Sequence, residues 1–98
     1  MVVWTAPAKQ QLRDIFDYIR KSSPYYAAKV SETLVSRSES LESFPERGRI
    51  VPEFNSDSVR EIYVYSYRLI YEIQSDQISI LAIIHGKRDL ETAAEKKP

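Results

Sequence analysis

The chain reads as an α+β fold: an N-terminal strand, a helical hairpin packed on an antiparallel sheet, and a short C-terminal helix, in the order β-α-α-β-β-β-α. Three observations carry that reading. Apolar side chains recur at helical spacing from Ala8 to Leu41, interrupted once by Ser23-Pro24. Residues 59–84 instead alternate with a period of two through three segments. Between these blocks, PERGRIVPEFNSDS at 45–58 holds two prolines, a glycine and a polar tail, the composition of a loop. Helices and strands segregated along a chain pack as separate layers of one α+β unit, so residues 1–98 are expected to make one domain.

Each element has a local reason. Residues 2–5 suit a short strand. Thr5 is a good helix N-cap, with Pro7 in the first turn, where the N–H it lacks has no helical partner anyway. Ala8, Leu12, Ile15, Phe16 and Ile19 then mark one face of a helix ending near Lys21-Ser22. Ser23-Pro24 repeats the cap-and-proline start. Ala27, Val30, Leu34 and Leu41 form the buried stripe of a second helix, which Phe44-Pro45 stops. A helical hairpin must bury its stripe, and the sheet supplies the surface. Strands are expected near 59–65, 67–74 and 77–84, with Ser75-Asp76 as the turn between the last two. In the middle strand Tyr67, Leu69, Tyr71 and Ile73 share one face, and Arg68, Ile70 and Glu72 the other. In the last strand Ile78, Ile80, Ala82 and Ile84 are expected opposite Leu81, Ile83 and His85. Both of its faces are apolar, which predicts an interior position. A C-terminal helix is expected from Arg88, ahead of a charged tail.

Composition narrows function by exclusion. Fourteen basic side chains balance fourteen acidic ones. Proteins that live on nucleic acid usually carry a basic surplus, so balance favours a protein target. The chain has no cysteine and one histidine, which excludes thiolate-zinc, disulfide and histidine-cluster frameworks. No cofactor or metal is expected. There is no signal-peptide pattern at the start, and no apolar run approaches the roughly 20 residues that span a bilayer. The expected setting is soluble and cytoplasmic, without a membrane partner.

Chemically capable residues gather at 60–90, where one sheet is expected to bring Arg68, His85 and Arg88 together. Arg68 has two readings: a structural arginine paired with Glu72 or Glu61, or a guanidinium fixed on a strand to grip phosphate or carboxylate. His85, at a strand end before Gly86, is either a hydrogen-bonded edge residue or a general base. Arg88 either pairs with Asp89 or Glu91 on the surface or stabilises a developing phosphorane charge. Tyr63, Tyr65, Tyr67 and Tyr71 would stack bases or, the favoured reading, pack cross-strand beside a surface awaiting a protein partner. Arg47 and Arg49 flank Gly48 in what reads as a solvated loop whose glycine allows a positive φ.

Several segments recur in a fixed order: Trp4-Thr5-Ala6 with Ala8 and Leu12, then Ile15, Tyr18 and Ile19, then Ser23-Pro24 and Ala28. Leu41, Phe44-Pro45, Gly48-Arg49 and Val51-Pro52-Glu53 follow. Arg60-Glu61-Ile62, Tyr67-Arg68-Leu69-Ile70-Tyr71 and Ile84-His85-Gly86-Lys87-Arg88 complete the set. This ordered set resembles the RelE/ParE superfamily of toxins from type II toxin–antitoxin systems. The resemblance implies a toxin held inactive by a cognate antitoxin that wraps the helices and sheet, leaving a homodimer or a hetero-oligomer with the antitoxin open. It also implies one of two activities. ParE-like members poison DNA gyrase by binding it, and RelE-like members cut mRNA in the ribosomal A site as endoribonucleases. Under the nuclease alternative Arg68 and Arg88 match the family's two arginines and His85 serves as base. The tyrosine of that pattern, however, falls near Ala94, and its lysine pair falls where only Arg60 is basic. The ParE-like reading needs none of these and treats Arg60, Arg68, His85, Lys87 and Arg88 as target-contact residues. A third reading is a non-toxic family member that only binds its antitoxin.

Overall fold

The computed structural model describes residues 1–86. The helix expected after Arg88 therefore lies outside the described residues, as do Lys87 and Arg88 themselves. Within them the order is β1 (Val2–Trp4), α1 (Ala6–Arg20), α2 (Pro24–Glu39), β2 (Arg49–Ile50), β3 (Val59–Val64), β4 (Tyr67–Ile73) and β5 (Ile78–His85). Two helices lie against a five-stranded sheet that includes the N-terminal strand, the α+β arrangement expected.

Both helix starts follow from the sequence. The Thr5 hydroxyl accepts from the Ala8 N–H at 3.3 Å and also donates to the Ile80 carbonyl at 2.9 Å, so one side chain caps α1 and ties it to β5. Ser23 caps α2 by accepting from the Tyr26 N–H at 3.1 Å. The end of α2 is less simple than a stop at Phe44-Pro45. The α-helix ends at Glu39, and the chain continues as 3-10 turns at Ser40–Glu42 and Pro45–Arg47. The Ser38 and Ser40 hydroxyls donate back to the Val35 and Arg37 carbonyls, both at 2.7 Å, a competition with helical bonding that loosens a C-terminal turn.

The sheet order is β1-β5-β4-β3-β2. Strands β2 to β5 pair antiparallel as expected, whereas β1 joins the β5 edge in parallel, Val2 opposite Ile78 and Trp4 opposite Ile80. β5 is thus interior, as its two apolar faces predicted. Part of the expected loop is sheet: Arg49 and Ile50 pair with Glu61 and Arg60 as β2. The tight β3–β4 turn places Tyr65 at a φ of 56°, a backbone conformation that a bulky side chain rarely adopts.

The last strand departs from simple alternation. Ile70 pairs with Ala82 but Tyr71 pairs with Ile80, which leaves Leu81 as an extra residue, a β-bulge. Ile78, Ile80 and Ile83 therefore face the helices, while Leu81, Ala82 and Ile84 face away. The expected grouping of Ala82 and Ile84 with Ile78 and Ile80 fails for this reason alone.

The main core lies between hairpin and sheet. Ala8, Val30, Leu34 and Leu41 pack on Ile62, Val64, Leu69, Tyr71, Ile78, Ile80 and Ile83. On the opposite face a smaller cluster joins Val51, Val59 and Ile70. Tyr71, fully buried, donates its hydroxyl to the Pro45 carbonyl at 2.6 Å and accepts from the Gly48 N–H at 3.0 Å. Gly48 adopts φ −78°, ψ 159°, so a positive φ is not what requires glycine there. The requirement is space: a Cβ would sit 2.6 Å from both the Glu61 carbonyl oxygen and the Tyr71 hydroxyl.

Candidate functional site

The face of the sheet turned away from the helices carries an ionic network. Arg49 and Glu61 are paired across β2 and β3, and Tyr63 and Arg68 across β3 and β4, so all four side chains leave the same face. Glu61 is 1% exposed and Arg68 5%. The Arg68 Nε donates to Glu61 Oε1 at 2.6 Å, and its terminal nitrogens reach Glu53 at 3.2 and 3.3 Å. The second Glu61 oxygen accepts from the Arg49 Nε at 2.6 Å. Two carboxylates and two guanidinium groups thus interlock, and Glu53 and Arg49 clamp the 49–53 segment onto the sheet. Burial works to lower the Arg68 pKa, but the hydrogen bonds to Glu53 and Glu61 outweigh it and hold it above the usual arginine value. Arg68 is thereby a permanent cation bonded to Glu61, one of the two partners expected, and to Glu53.

His85 stands elsewhere. It pairs with Tyr67, whose ring it meets edge-on at a centroid distance of 6.0 Å, and Arg68 pairs with Ile84. Neighbouring positions on a strand project to opposite faces, so Arg68 and His85 lie on different sides of the sheet. The expected convergence is not formed by these two residues, and the bulge at Leu81 is the reason. In an unbulged register Ile84 would oppose Tyr67, and His85 would share the face of Arg68.

Arg60 holds backbone rather than facing outward. Its guanidinium donates to the carbonyls of Glu46, Gly48 and Asp57 at 3.0–3.3 Å, bracing the loop before β3. Among the tyrosines, Tyr71 is buried, Tyr67 is partly buried, and Tyr63 and Tyr65 are about half exposed. Sequence reasoning missed Arg49 as part of the site. The signal was present in the β-branched pair Ile50-Val51 after Gly48, which marks a short strand and so fixes the direction of its neighbour. No group of three or more His, Asp or Glu side chains among the described residues is placed to hold a metal ion.

On the other side of the molecule an open groove of about 730 Å³ runs between β1, α1 and α2. Val3, Leu12, Phe16 and Val35 make its lining apolar, with Lys9 and Arg13 contributed by α1 and Glu39 by α2. Phe16, placed by its spacing with the core stripe of α1, lines this groove. No helix among the described residues is long and apolar enough to cross a membrane.

Residues 2–90 match the sequence pattern of the ParE toxin of the type II toxin–antitoxin system parDE. The chain belongs to the ParE toxin family. A curated relative, Toxin RelE2 of Caulobacter vibrioides, is 34% identical over 88 residues, covering 89% of this chain and 96% of that protein. A solved structure described as a chromosomal ParDE toxin–antitoxin system from P. aeruginosa superposes with a TM-score of 0.71. It covers 86% of this chain and 92% of its own at 23% identity, a likeness of fold. As a member of a ParE toxin family, the chain has an antitoxin as its implied partner. The family match and the 34% identical relative thus agree on a type II toxin of the RelE/ParE kind.

Proposed function

We propose that this toxin acts by binding DNA gyrase and not by cutting RNA, and that its antitoxin occupies the apolar groove between β1, α1 and α2. The observation that carries the first part is the placement of Arg68 and His85. A nuclease centre needs its base and its charge-stabilising group within hydrogen-bond reach of one reacting phosphate. Here His85, the candidate base, and Arg68, the candidate phosphate grip, stand on opposite faces of the sheet, and Arg68 is held by two carboxylates. Arg88, the third candidate, lies outside the described residues. A binding toxin has no such requirement. The groove supports the second part: its apolar lining, flanked by charges of both signs, suits an amphipathic segment of a protein.

The deciding experiment uses the purified chain with purified DNA gyrase and, in parallel, with translating ribosomes. The expected result is loss of supercoiling or accumulation of cleaved DNA, with message left intact. Codon-linked mRNA cuts with full supercoiling activity would replace the gyrase reading with the RelE-like one. If neither occurs and growth continues on induction while antitoxin is still bound, the chain is a non-toxic family member.

A further inference from the structure

We infer that Arg49 and Tyr63 form a preorganised contact point on the toxin for a carboxylate of its protein target; the inference rests on the gyrase reading. Arg49 differs from every other member of its network. Its Nε is bonded to Glu61, a fully buried side chain, yet its own side chain is 67% exposed. Its two terminal nitrogens make no hydrogen bond among the described residues. They form the fork that binds a carboxylate in two parallel bonds. The guanidinium carbon also lies 6.0 Å from the centroid of the Tyr63 ring, which is 49% exposed. The Tyr63 ring approaches Gly86 so closely that a Cβ there would come within 3.2 Å of its Cε2 atom.

This geometry reduces what binding usually costs. A free arginine loses rotamer freedom when it docks, whereas the buried carboxylate and the ring already hold this one in place. Arginine and tyrosine are also the residue types on which interface energy concentrates. The surroundings choose the ligand. Grip on a phosphate backbone comes from several cations acting together. In this network Arg49 and Arg68 are balanced by Glu53 and Glu61, leaving a single outward fork. One fork fits one carboxylate on a protein surface.

Gyrase alone, without DNA, is titrated with the full chain, and the supercoiling IC50 is read alongside. Arg49→Lys keeps the positive charge beside Glu61 but gives up the fork, and Tyr63→Ala removes the ring from an exposed position. Both variants should bind gyrase about tenfold more weakly and raise the IC50 to match, the size of a lost charge-assisted contact. Their melting points should stay close to wild type, and Tyr63→Phe should retain most of the binding. Wild-type affinity in both variants would overturn the inference while leaving gyrase as the target. Binding that appears only when DNA is present would overturn the carboxylate assignment. A wild-type toxin with no effect on gyrase would remove the proposed function and this inference together.

Discussion

The two faces of the sheet are held by different physics. Under the helices, seven strand residues and four from the helical region make a dry apolar core, with Tyr71 as the one polar reach out of it. On the open face a small apolar cluster of Val51, Val59 and Ile70 sits beside four interlocked charges. Apolar burial is non-directional and tolerates a shift of a few tenths of an ångström. An ion network gains only when every donor meets its acceptor, since buried charges lose hydration in full. The comparison teaches that the helix face supplies cohesion, while the open face supplies position, fixing the 49–53 segment and with it Arg49.

The largest expected effect tests that claim. Arg68→Ala removes the main partner of the fully buried Glu61, and denaturant unfolding should show a loss of about 3–5 kcal/mol. Replacing both partners, Arg68→Met with Glu61→Leu, should recover part of it, because the fully buried carboxylate is gone while Glu53 and the exposed Arg49 still lose their partners. An Arg68→Ala protein as stable as wild type would show that the open face contributes no order. The matching cut in the apolar face is Leu34→Ala, expected to cost about 2–5 kcal/mol by the same measurement. There is no charge to compensate there, so only a larger neighbour filling the space would rescue it.

Tyr71 tests the link between the faces and should give the smallest change. Tyr71→Phe leaves the Gly48 N–H and the Pro45 carbonyl without their partner, at about 1–3 kcal/mol. Its pH dependence is the sharper test. Burial pushes the Tyr71 hydroxyl above the usual tyrosine value, against the opposing Gly48 hydrogen bond, and burial raises Tyr67 as well. The folded chain therefore holds both protons more tightly than the unfolded chain does. The stability they contribute is complete below the unfolded value of about 10 and falls as pH rises through the folded ones. Melting curves between pH 9 and 11, settings of about one unit on either side of that value, should show a smaller alkaline loss in Tyr71→Phe. An identical loss would mean that Tyr71 is not held protonated by the fold.

Much of this was legible in the residues themselves. Thr5 and Ser23 announced the helix starts because capping is local chemistry, and the β4 faces followed from strict alternation between Tyr67 and Ile73. Three things were not legible, each for a physical reason. Ile50-Val51 hints at a strand, but which strand it joins was not legible, because β2 is two residues long and is held by pairing with β3, a contact distant in sequence. Gly48 is required by a Tyr71 side chain that arrives from 23 positions away, not by its own φ. The separation of Arg68 from His85 depends on a bulge, and a bulge changes no residue type.

That extra residue has a consequence for how function is distributed. From Leu81 to Ile84 the chain offers an aliphatic side chain to the helices in either phase, Ile83 in the observed register or Ile84 in a slipped one. Hydrophobicity alone scores the two threadings nearly alike. What differs is the address of the histidine that follows: one phase sends His85 beside Tyr67, the other sends it to the arginine side. A single residue of slack in β5 thus acts as a sorting point, deciding whether the only imidazole in the chain and its buried guanidinium share a surface or are kept apart.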